Sequence, residues 1–198
     1  MTANLFPVFI KLADRSCLVV GAGEIAAAKI AALLEAGARV TVVAPRANSY
    51  VREIAAAGKL SWIEREFRAN DLVGVFLVIA ATSASEVNRT VFLEAQRGGI
   101  LTNAVDDPPH CDFYFPAVVR RGALQIAIST SGESPALAQR LRRELEACLD
   151  EYLGDWVAAI GKLRREILAT HPPSKARKRL LHSLASREAE PLNSGAKR

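Results

Sequence analysis

Residues 16–37 read SCLVVGAGEIAAAKIAALLEAG. The first five residues are a short apolar run that ends at a glycine. Residues 24–36 then carry apolar side chains at helical spacing, up to Gly37, a residue type that commonly ends helices. The stretch therefore predicts a β-strand, a tight turn and an α-helix in that order.

The turn between this strand and helix has the form GxGxxA at residues 21–26. In such a turn Gly21 permits the sharp change of direction, Gly23 lets the backbone approach a pyrophosphate, and the small Ala26 allows the helix to pack closely on the strand. Backbone N–H groups at the helix start then face the phosphates. The turn predicts dinucleotide binding, and a glycine turn with a purely structural role is the alternative.

The same alternation continues along the chain and predicts an α/β fold, a Rossmann-like parallel sheet covered by helices on both faces. Nearly all the strand residues are apolar, as expected for strands buried on both sides. The further predicted elements are strands at 39–43, 60–64, 75–80 and 100–104 and helices at 49–57 and 85–97.

The pattern changes after Val105. Residues 113–121 and 123–129 predict two hairpin strands, and residues 136–152, 155–169 and 174–185 predict helices. We expect a Rossmann-like domain at 1–112, a small dimerisation hairpin at 113–133, a helical C-terminal domain at 134–189 and a disordered tail at 190–198. Hairpin strands that a nucleotide-binding sheet does not need often pair with a second copy, so the pattern favours a homodimer.

The composition of the 198 residues, 50% hydrophobic and 24% charged, excludes a disordered or collagen-like chain. No apolar run has the roughly 18 residues of a membrane helix, and residues 1–11 lack the order of a secretion signal. We therefore expect no membrane association and a cytoplasmic location. The three cysteines are widely separated and indicate neither a disulfide framework nor a structural zinc site.

The net charge of +5 is concentrated at the C-terminal end. From Pro172 onward the chain has seven basic and two acidic residues, and their sum of +5 equals the net charge of the whole chain. Such a segment can bind nucleic acid or another polyanion. Few aromatic residues accompany these charges, which favours a solvated end over nucleic-acid binding.

The second strand lacks the acidic residue that usually holds the cofactor's ribose, since it ends in Val43-Ala44-Pro45-Arg46. Arg46 is a candidate partner for a 2′-phosphate, the adenine or the pyrophosphate. The spacing therefore leaves NAD and NADP both open. Thr82, after the fourth strand, is a further candidate cofactor contact or an ordinary strand end.

Ionisable residues gather just beyond the fifth strand, in Asp106, Asp107, His110, Cys111 and Asp112. Ligands of open α/β sheets bind at the carboxyl ends of the strands. A carboxylate there can accept a proton from a substrate or hold a metal, and a simple turn before two prolines is the alternative. Three familiar signatures are missing from the sequence: the Tyr-x-x-x-Lys pair of short-chain dehydrogenases, the Gly-Lys-Ser/Thr phosphate loop and His-Glu-x-x-His.

A second polar run, residues 129–134, leads into a predicted helix start. Hydroxyls and free N–H groups at such a position suit carboxylates or phosphates. A helix cap accounts for Ser134 alone. The candidate anion contacts of this run are Ser129, Thr130, Ser131 and Ser134.

Several stretches together resemble the precorrin-2 dehydrogenase family, the dehydrogenase and ferrochelatase module of siroheme synthase. The resemblance runs from about residue 6 to residue 149. It is carried by GAGEIA after CLVV, LLEAGA at 33–38, AAT at 80–82 with VN at 87–88, NAVDDP at 103–108, CDF at 111–113, FP at 115–116 and ISTSGESP at 128–135.

The resemblance implies NAD-dependent oxidation of precorrin-2 to sirohydrochlorin, followed in some members by insertion of Fe²⁺ to give siroheme. It implies a homodimer and places the essential aspartate of the family on Asp106. Our hypothesis is that Asp106 accepts the substrate proton or orients the macrocycle, and His110 is a secondary candidate. Precorrin-2 carries eight carboxylates, which suits arginines and the hydroxyl-rich run as substrate contacts. The cofactor contacts that the resemblance implies are Ala22, Gly23, Glu24, Ile25, Pro45 and Arg46.

Two other functions remain open on the sequence. One is a nucleotide-sensing regulator whose basic tail contacts DNA, and the other is a dehydrogenase of a different small substrate. No dedicated set of metal ligands is visible, so iron insertion is not decided by the residues.

Overall fold

The computed structural model describes residues 5–186, so the predicted tail at 190–198 lies outside the described residues. Within them the chain forms two compact units that divide between Tyr114 and Phe115. The hairpin and the C-terminal helices lie in the same unit.

The first unit is a five-stranded parallel sheet with strand order β3-β2-β1-β4-β5. The α/β prediction is confirmed, since strands and helices alternate along the chain. The strands are β1 (Ser16–Val20), β2 (Arg39–Val43), β3 (Ser61–Ile63), β4 (Leu77–Ala80) and β5 (Leu101–Ala104), and the helices are α1 (Glu24–Glu35), α2 (Ser49–Ala56) and α3 (Ser85–Arg97).

The strand ends are aligned at the carboxyl edge of this sheet. Val20 is in register with Val43 on one side and with Ala80 on the other, and Ala80 is in register with Ala104. The hydrogen-bond ladder continues past the strand ends, where Gly21 N–H donates to the Val43 carbonyl at 2.9 Å. The segments that follow β1, β2, β4 and β5 therefore leave the sheet side by side.

Helix α1 packs on the sheet through small and branched side chains. Its buried residues, Ala26, Ala27, Ile30 and Leu33, repeat at the spacing of one helix face. The alanines bring the helix axis close to β1, which is what the glycine turn requires. In β1, burial raises the pKa of the Cys17 thiol to about 11, which makes this cysteine an inert core residue.

The second unit holds an antiparallel hairpin of β6 (Ala117–Arg121) and β7 (Leu124–Ile128), followed by three helices. The helices are α4 (Pro135–Cys148), α5 (Leu153–Thr170) and α6 (Lys175–Ser183). None of the helices between residues 5 and 186 combines the length and apolar content that a membrane crossing needs.

Two predicted boundaries in this part of the chain are wrong. β6 was expected from Phe113 but begins after Pro116, because proline has no N–H to donate to the ladder. α4 was expected to run to Tyr152 but ends at Cys148. The Arg121 guanidinium donates to the carbonyls of Glu146 at 2.8 Å and Leu149 at 3.3 Å, which supplies partners for the helix end.

A side-chain clamp fixes the segment between β3 and β4. The Arg65 guanidinium donates to both Asp71 carboxylate oxygens, at 2.8 and 2.5 Å, and the Arg68 N–H donates to the same carboxylate at 2.8 Å. The Asp71 side chain is only 8% exposed. Its hydrogen bond to Arg65 is the main cause that holds the pKa of Asp71 below the ordinary value of 3.8.

Replacing Asp71→Asn should lower the free energy of unfolding at neutral pH by about 1–3 kcal/mol, because Arg65 loses its charged partner. The pKa of Asp71 is lower in the folded chain than in the unfolded chain, so its carboxylate stabilises the fold at pH values above the unfolded-state pKa. This stabilisation is lost as the pH falls through the folded-state pKa. The variant's stability should therefore depend less on pH below about 4 than that of the native chain. Urea unfolding at several pH values measures both effects.

The matched control is Glu94→Gln, which breaks the exposed Arg97–Glu94 pair. It should change stability by no more than about 0.5 kcal/mol. Equal effects of the two substitutions would show that the clamp contributes nothing special.

Candidate cofactor and active site

The glycine turn after β1 has two different glycines. Gly21 has φ +106°, and a Cβ built on it would lie 2.4 Å from the Ala81 carbonyl oxygen. Gly23 has an ordinary φ of −81° and nothing within 4 Å of a built Cβ. Gly21 thus lets the turn pass close to the backbone of Ala81, whereas the absence of a side chain at Gly23 leaves open space beside the turn.

Helix α1 begins at this open surface. Gly23 is its N-cap and supplies no side-chain oxygen to the first N–H groups of the helix. Such N–H groups and the positive end of the helix dipole form an anion site. The Glu24 carboxylate accepts a hydrogen bond from the Asn48 amide at 3.0 Å, and Asn48 Oδ1 caps α2 through Val51 N–H. Glu24 therefore links α1 to the start of α2.

A cavity of about 760 Å³ lies over the glycine turn. Its size is in the range of small-molecule and cofactor sites. Six of the eight predicted cofactor contacts line it, while Glu24 and Ile25 do not. The six are Gly21, Ala22, Gly23, Pro45, Arg46 and Thr82.

Thr82 is held by hydrogen bonds to the side chain of Asn88. The buried Asn88 side chain accepts hydrogen bonds from the Thr82 N–H at 3.1 Å and hydroxyl at 2.8 Å, and its amide donates to the Thr82 carbonyl at 3.0 Å. These hydrogen bonds fix the segment after β4, which forms one wall of the cavity. From the sequence, Asn88 counted only toward the resemblance, because residue spacing does not show that its side chain turns back onto Thr82.

The loop after β5 is held at its far end. The Asp112 carboxylate accepts from Thr102 N–H at 2.9 Å and from the Gln96 amide at 2.8 Å. Asn103 donates to the Phe113 carbonyl at 2.8 Å, and Cys111 Sγ donates to the Ala104 carbonyl at 3.1 Å. Burial raises the pKa of Cys111, which keeps the thiol protonated as a donor.

The carboxylates of this loop differ in what they contact. Asp107 Oδ2 lies 2.7 Å from His110 Nδ1, and the His110 ring packs edge-on against Phe92. Asp106 is exposed and makes no hydrogen bond through its side chain to any residue that the structure describes. Its φ of +58° is uncommon for a residue other than glycine. The loop therefore exposes the Asp106 carboxylate, whereas Asp107 and His110 are paired with each other.

Asp106 has a charged neighbour that the sequence analysis missed. Lys29 of α1 is half-buried, and burial lowers the pKa of its ammonium while the nearby charge of Asp106 acts in the opposite direction. A signal was present, since Lys29 lies three residues after Ala26 and four before Leu33, at the border of the buried helix face. The Asp106 carboxylate and the Lys29 ammonium therefore lie near each other.

The predicted substrate contacts at 129–134 lie in the second unit. Ser129 Oγ accepts from Ser131 N–H at 3.1 Å, and Thr130 Oγ1 accepts from Ser134 N–H at 3.1 Å. Ser134 Oγ accepts from Leu137 N–H and so caps α4. The hydroxyls thus shape a tight turn, in which Ser131 has φ +53°. Their O–H groups remain able to donate to an anion.

Comparison with known proteins gives consistent matches. The family model described as "Putative NAD(P)-binding" matches residues 8–117, and that described as "Sirohaem biosynthesis protein central" matches residues 121–147. A siroheme synthase of Neisseria meningitidis serogroup C (strain 053442) is 46% identical over 166 residues, which are 84% of this chain and 35% of that protein. Siroheme synthase 3 of Aeromonas hydrophila is 40% identical over 181 residues, 91% of this chain and 39% of that protein.

A solved structure extends these matches to nearly the whole fold. SirC, a precorrin-2 dehydrogenase, has a TM-score of 0.79 at 30% identity, covering 93% of this chain and 91% of that one. The chain spans 35% to 39% of the length of the two siroheme synthases. The NAD(P)-binding match and the open face of Gly23 agree that a nicotinamide dinucleotide, NAD or NADP, fits the cavity.

Two single substitutions separate the roles of the glycines. Gly21→Ala should destabilise the fold by about 2 kcal/mol or more, because it combines backbone strain with a clash against Ala81. Gly23→Ala should change stability by no more than about 1 kcal/mol. It should nevertheless weaken NAD binding at least about tenfold, because the methyl group occupies the phosphate-facing surface. Urea unfolding and NAD titration check the two outcomes, and normal NAD binding by Gly23→Ala would contradict this assignment.

Proposed function

This chain belongs to the precorrin-2 dehydrogenase family, and we propose that it oxidises precorrin-2 to sirohydrochlorin with NAD in siroheme biosynthesis. The observation that carries this proposal is the carboxyl edge of the sheet. There the open glycine turn after β1 and the presented carboxylate of Asp106 flank the end of β4. A cytoplasmic location stays a prediction.

The cofactor would be held by the residues that line the cavity. The N–H groups at the start of α1 would receive the pyrophosphate, with Gly23 allowing its close approach. Pro45 and Arg46 would contact the adenosine half, and the segment at Thr82, fixed by Asn88, would support the other half. Bound NAD supplies the acceptor for the two electrons that leave the substrate.

We assign proton removal to Asp106. Each dehydrogenation takes two electrons and two protons from the macrocycle, and one of those protons leaves separately from the electron pair. The Asp106 carboxylate is exposed and stands on a loop pinned by Asp112 and Asn103, so it can accept that proton in a fixed position.

Lys29 would help to position the Asp106 carboxylate. Its ammonium attracts the Asp106 carboxylate across the space between α1 and the loop. His110, already paired with Asp107, would act on the substrate as a contact rather than as the base. The hydroxyl groups of Ser129, Thr130, Ser131 and Ser134 stay proposed partners of the substrate carboxylates.

Iron insertion is a second proposed step at the same substrate. No cluster of three or more histidine, cysteine, aspartate or glutamate side chains suited to a metal ion occurs within residues 5–186. Fe²⁺ enters here as a substrate, so the macrocycle nitrogens are its final ligands. Asp106 would take up the two pyrrole protons one at a time and pass each to solvent. Adding Fe²⁺ to sirohydrochlorin and the protein, and following the siroheme spectrum against a protein-free sample, tests this step.

The proposed homodimer is supported by the hairpin. Within the described residues β6 and β7 pair only with each other, which leaves each strand with an open edge. Sedimentation equilibrium of the full chain should give twice the mass of 21.4 kDa for one chain. A single-chain mass at micromolar protein would contradict the dimer.

Replacing Asp106→Asn should lower the turnover of precorrin-2 by about a hundredfold or more, because asparagine cannot take up the proton. Asparagine tolerates the positive φ of this position, so the loop should keep its shape. The NAD dissociation constant should stay within about twofold. The formation of sirohydrochlorin and NADH, followed by absorbance, and an NAD titration measure the two quantities.

The matched control is Asp14→Asn, because Asp14 is also an exposed aspartate with a positive φ, +60°, but lies before β1. It should keep full turnover. Normal turnover by Asp106→Asn would remove the proposed role of Asp106. If the native chain shows no turnover but binds DNA in a salt-dependent way that deletion after Pro172 abolishes, the nucleotide-sensing regulator replaces this proposal.

A further inference from the structure

The cavity over the glycine turn has an unusual set of charges on its adenosine side. The acid expected at the end of β2 is replaced by Pro45 and Arg46. The ionisable residues that line the cavity are Arg46, Glu66 and Glu86. A lone arginine at this place would favour a 2′-phosphate and therefore NADP. The preference for NAD needs another group.

Glu66 reaches this side of the cavity from the neighbouring strand. β3 is in register with β2, pairing Ile63 with Val43, and Ala44 N–H donates to the Ile63 carbonyl at 3.2 Å. The segments that follow the two strands therefore leave the sheet together and both line the cavity. Glu86, in contrast, stands in the first turn of α3 after β4.

The ion pair of Arg65 and Asp71 holds the backbone of Glu66 in place. The Arg65 guanidinium that binds Asp71 also donates to the Glu66 carbonyl at 2.8 Å. The next residue, Phe67, is half-buried and packs against the core cluster that contains Val20 and Val43. The backbone is thus fixed on both sides of an exposed carboxylate.

We propose that Glu66 takes the place of the missing acid at the end of β2. Its carboxylate accepts hydrogen bonds from the ribose hydroxyls of NAD and repels the 2′-phosphate of NADP. Arg46 is then left for the adenine or the pyrophosphate. This inference rests on the cofactor site of the proposed function, and it concerns which nucleotide that site selects.

The test is a comparison of dissociation constants for NAD and NADP, measured by calorimetric titration of the full chain without precorrin-2. Glu66→Gln should weaken NAD binding and tighten NADP binding. The ratio of the two constants should shift toward NADP by about tenfold or more, the size expected for losing one charged hydrogen-bonding group. Glu66→Ala should shift the ratio in the same direction. Thermal unfolding checks that both variants are folded.

Glu64→Gln is the matched control, because Glu64 is exposed on the same segment but does not line the cavity. It should leave both constants unchanged. An unchanged ratio in folded Glu66→Gln, with NAD still bound by the native chain, would overturn this inference alone. A shift produced by Glu86→Gln and not by Glu66→Gln would also overturn it. Failure of the native chain to bind either nucleotide would overturn the cofactor site itself.

Discussion

The close approach of the backbone at Gly21 to the Ala81 carbonyl is the contact on which the rest of the site depends. A side chain at Gly21 would lie 2.4 Å from that oxygen, so only glycine lets β1 turn beside the end of β4. Because the chain turns there, α1 starts directly over the sheet edge with its first N–H groups uncapped by a side chain. The same turn leaves Gly23 facing the cavity.

Side chains bonded to backbone groups fix the walls around that turn. Asn88 holds the segment after β4, Asp71 holds the segment after β3 through Arg65, and Asp112 holds the loop after β5. Asp112, which stood among the candidate ionisable residues in the sequence, thus has a structural role. What remains exposed at the edge are the groups suited to a ligand, Asp106 and Glu66 among them.

Much of the fold followed from periodicity, because buried parallel strands and an alanine-rich helix leave clear patterns. β1, β2 and α3 were predicted to the residue, whereas β6 began later because Pro116 cannot donate to a ladder. The glycine turn and the loop of Asp106 were also found from the sequence. Lys29 and Glu66 were not. Spacing puts Lys29 only at the border of the buried helix face, and its place beside Asp106, like that of Glu66 at the cavity, depends on tertiary packing.

The most direct measurement is a crystal structure of the full chain with NAD and sirohydrochlorin bound. We expect the pyrophosphate on the N–H groups after Gly23 and the nicotinamide at the end of β4. The Asp106 carboxylate should lie within about 3 Å of the macrocycle or one water away from it. A nicotinamide on the far side of the sheet, or a macrocycle out of reach of Asp106, would contradict the proposed chemistry.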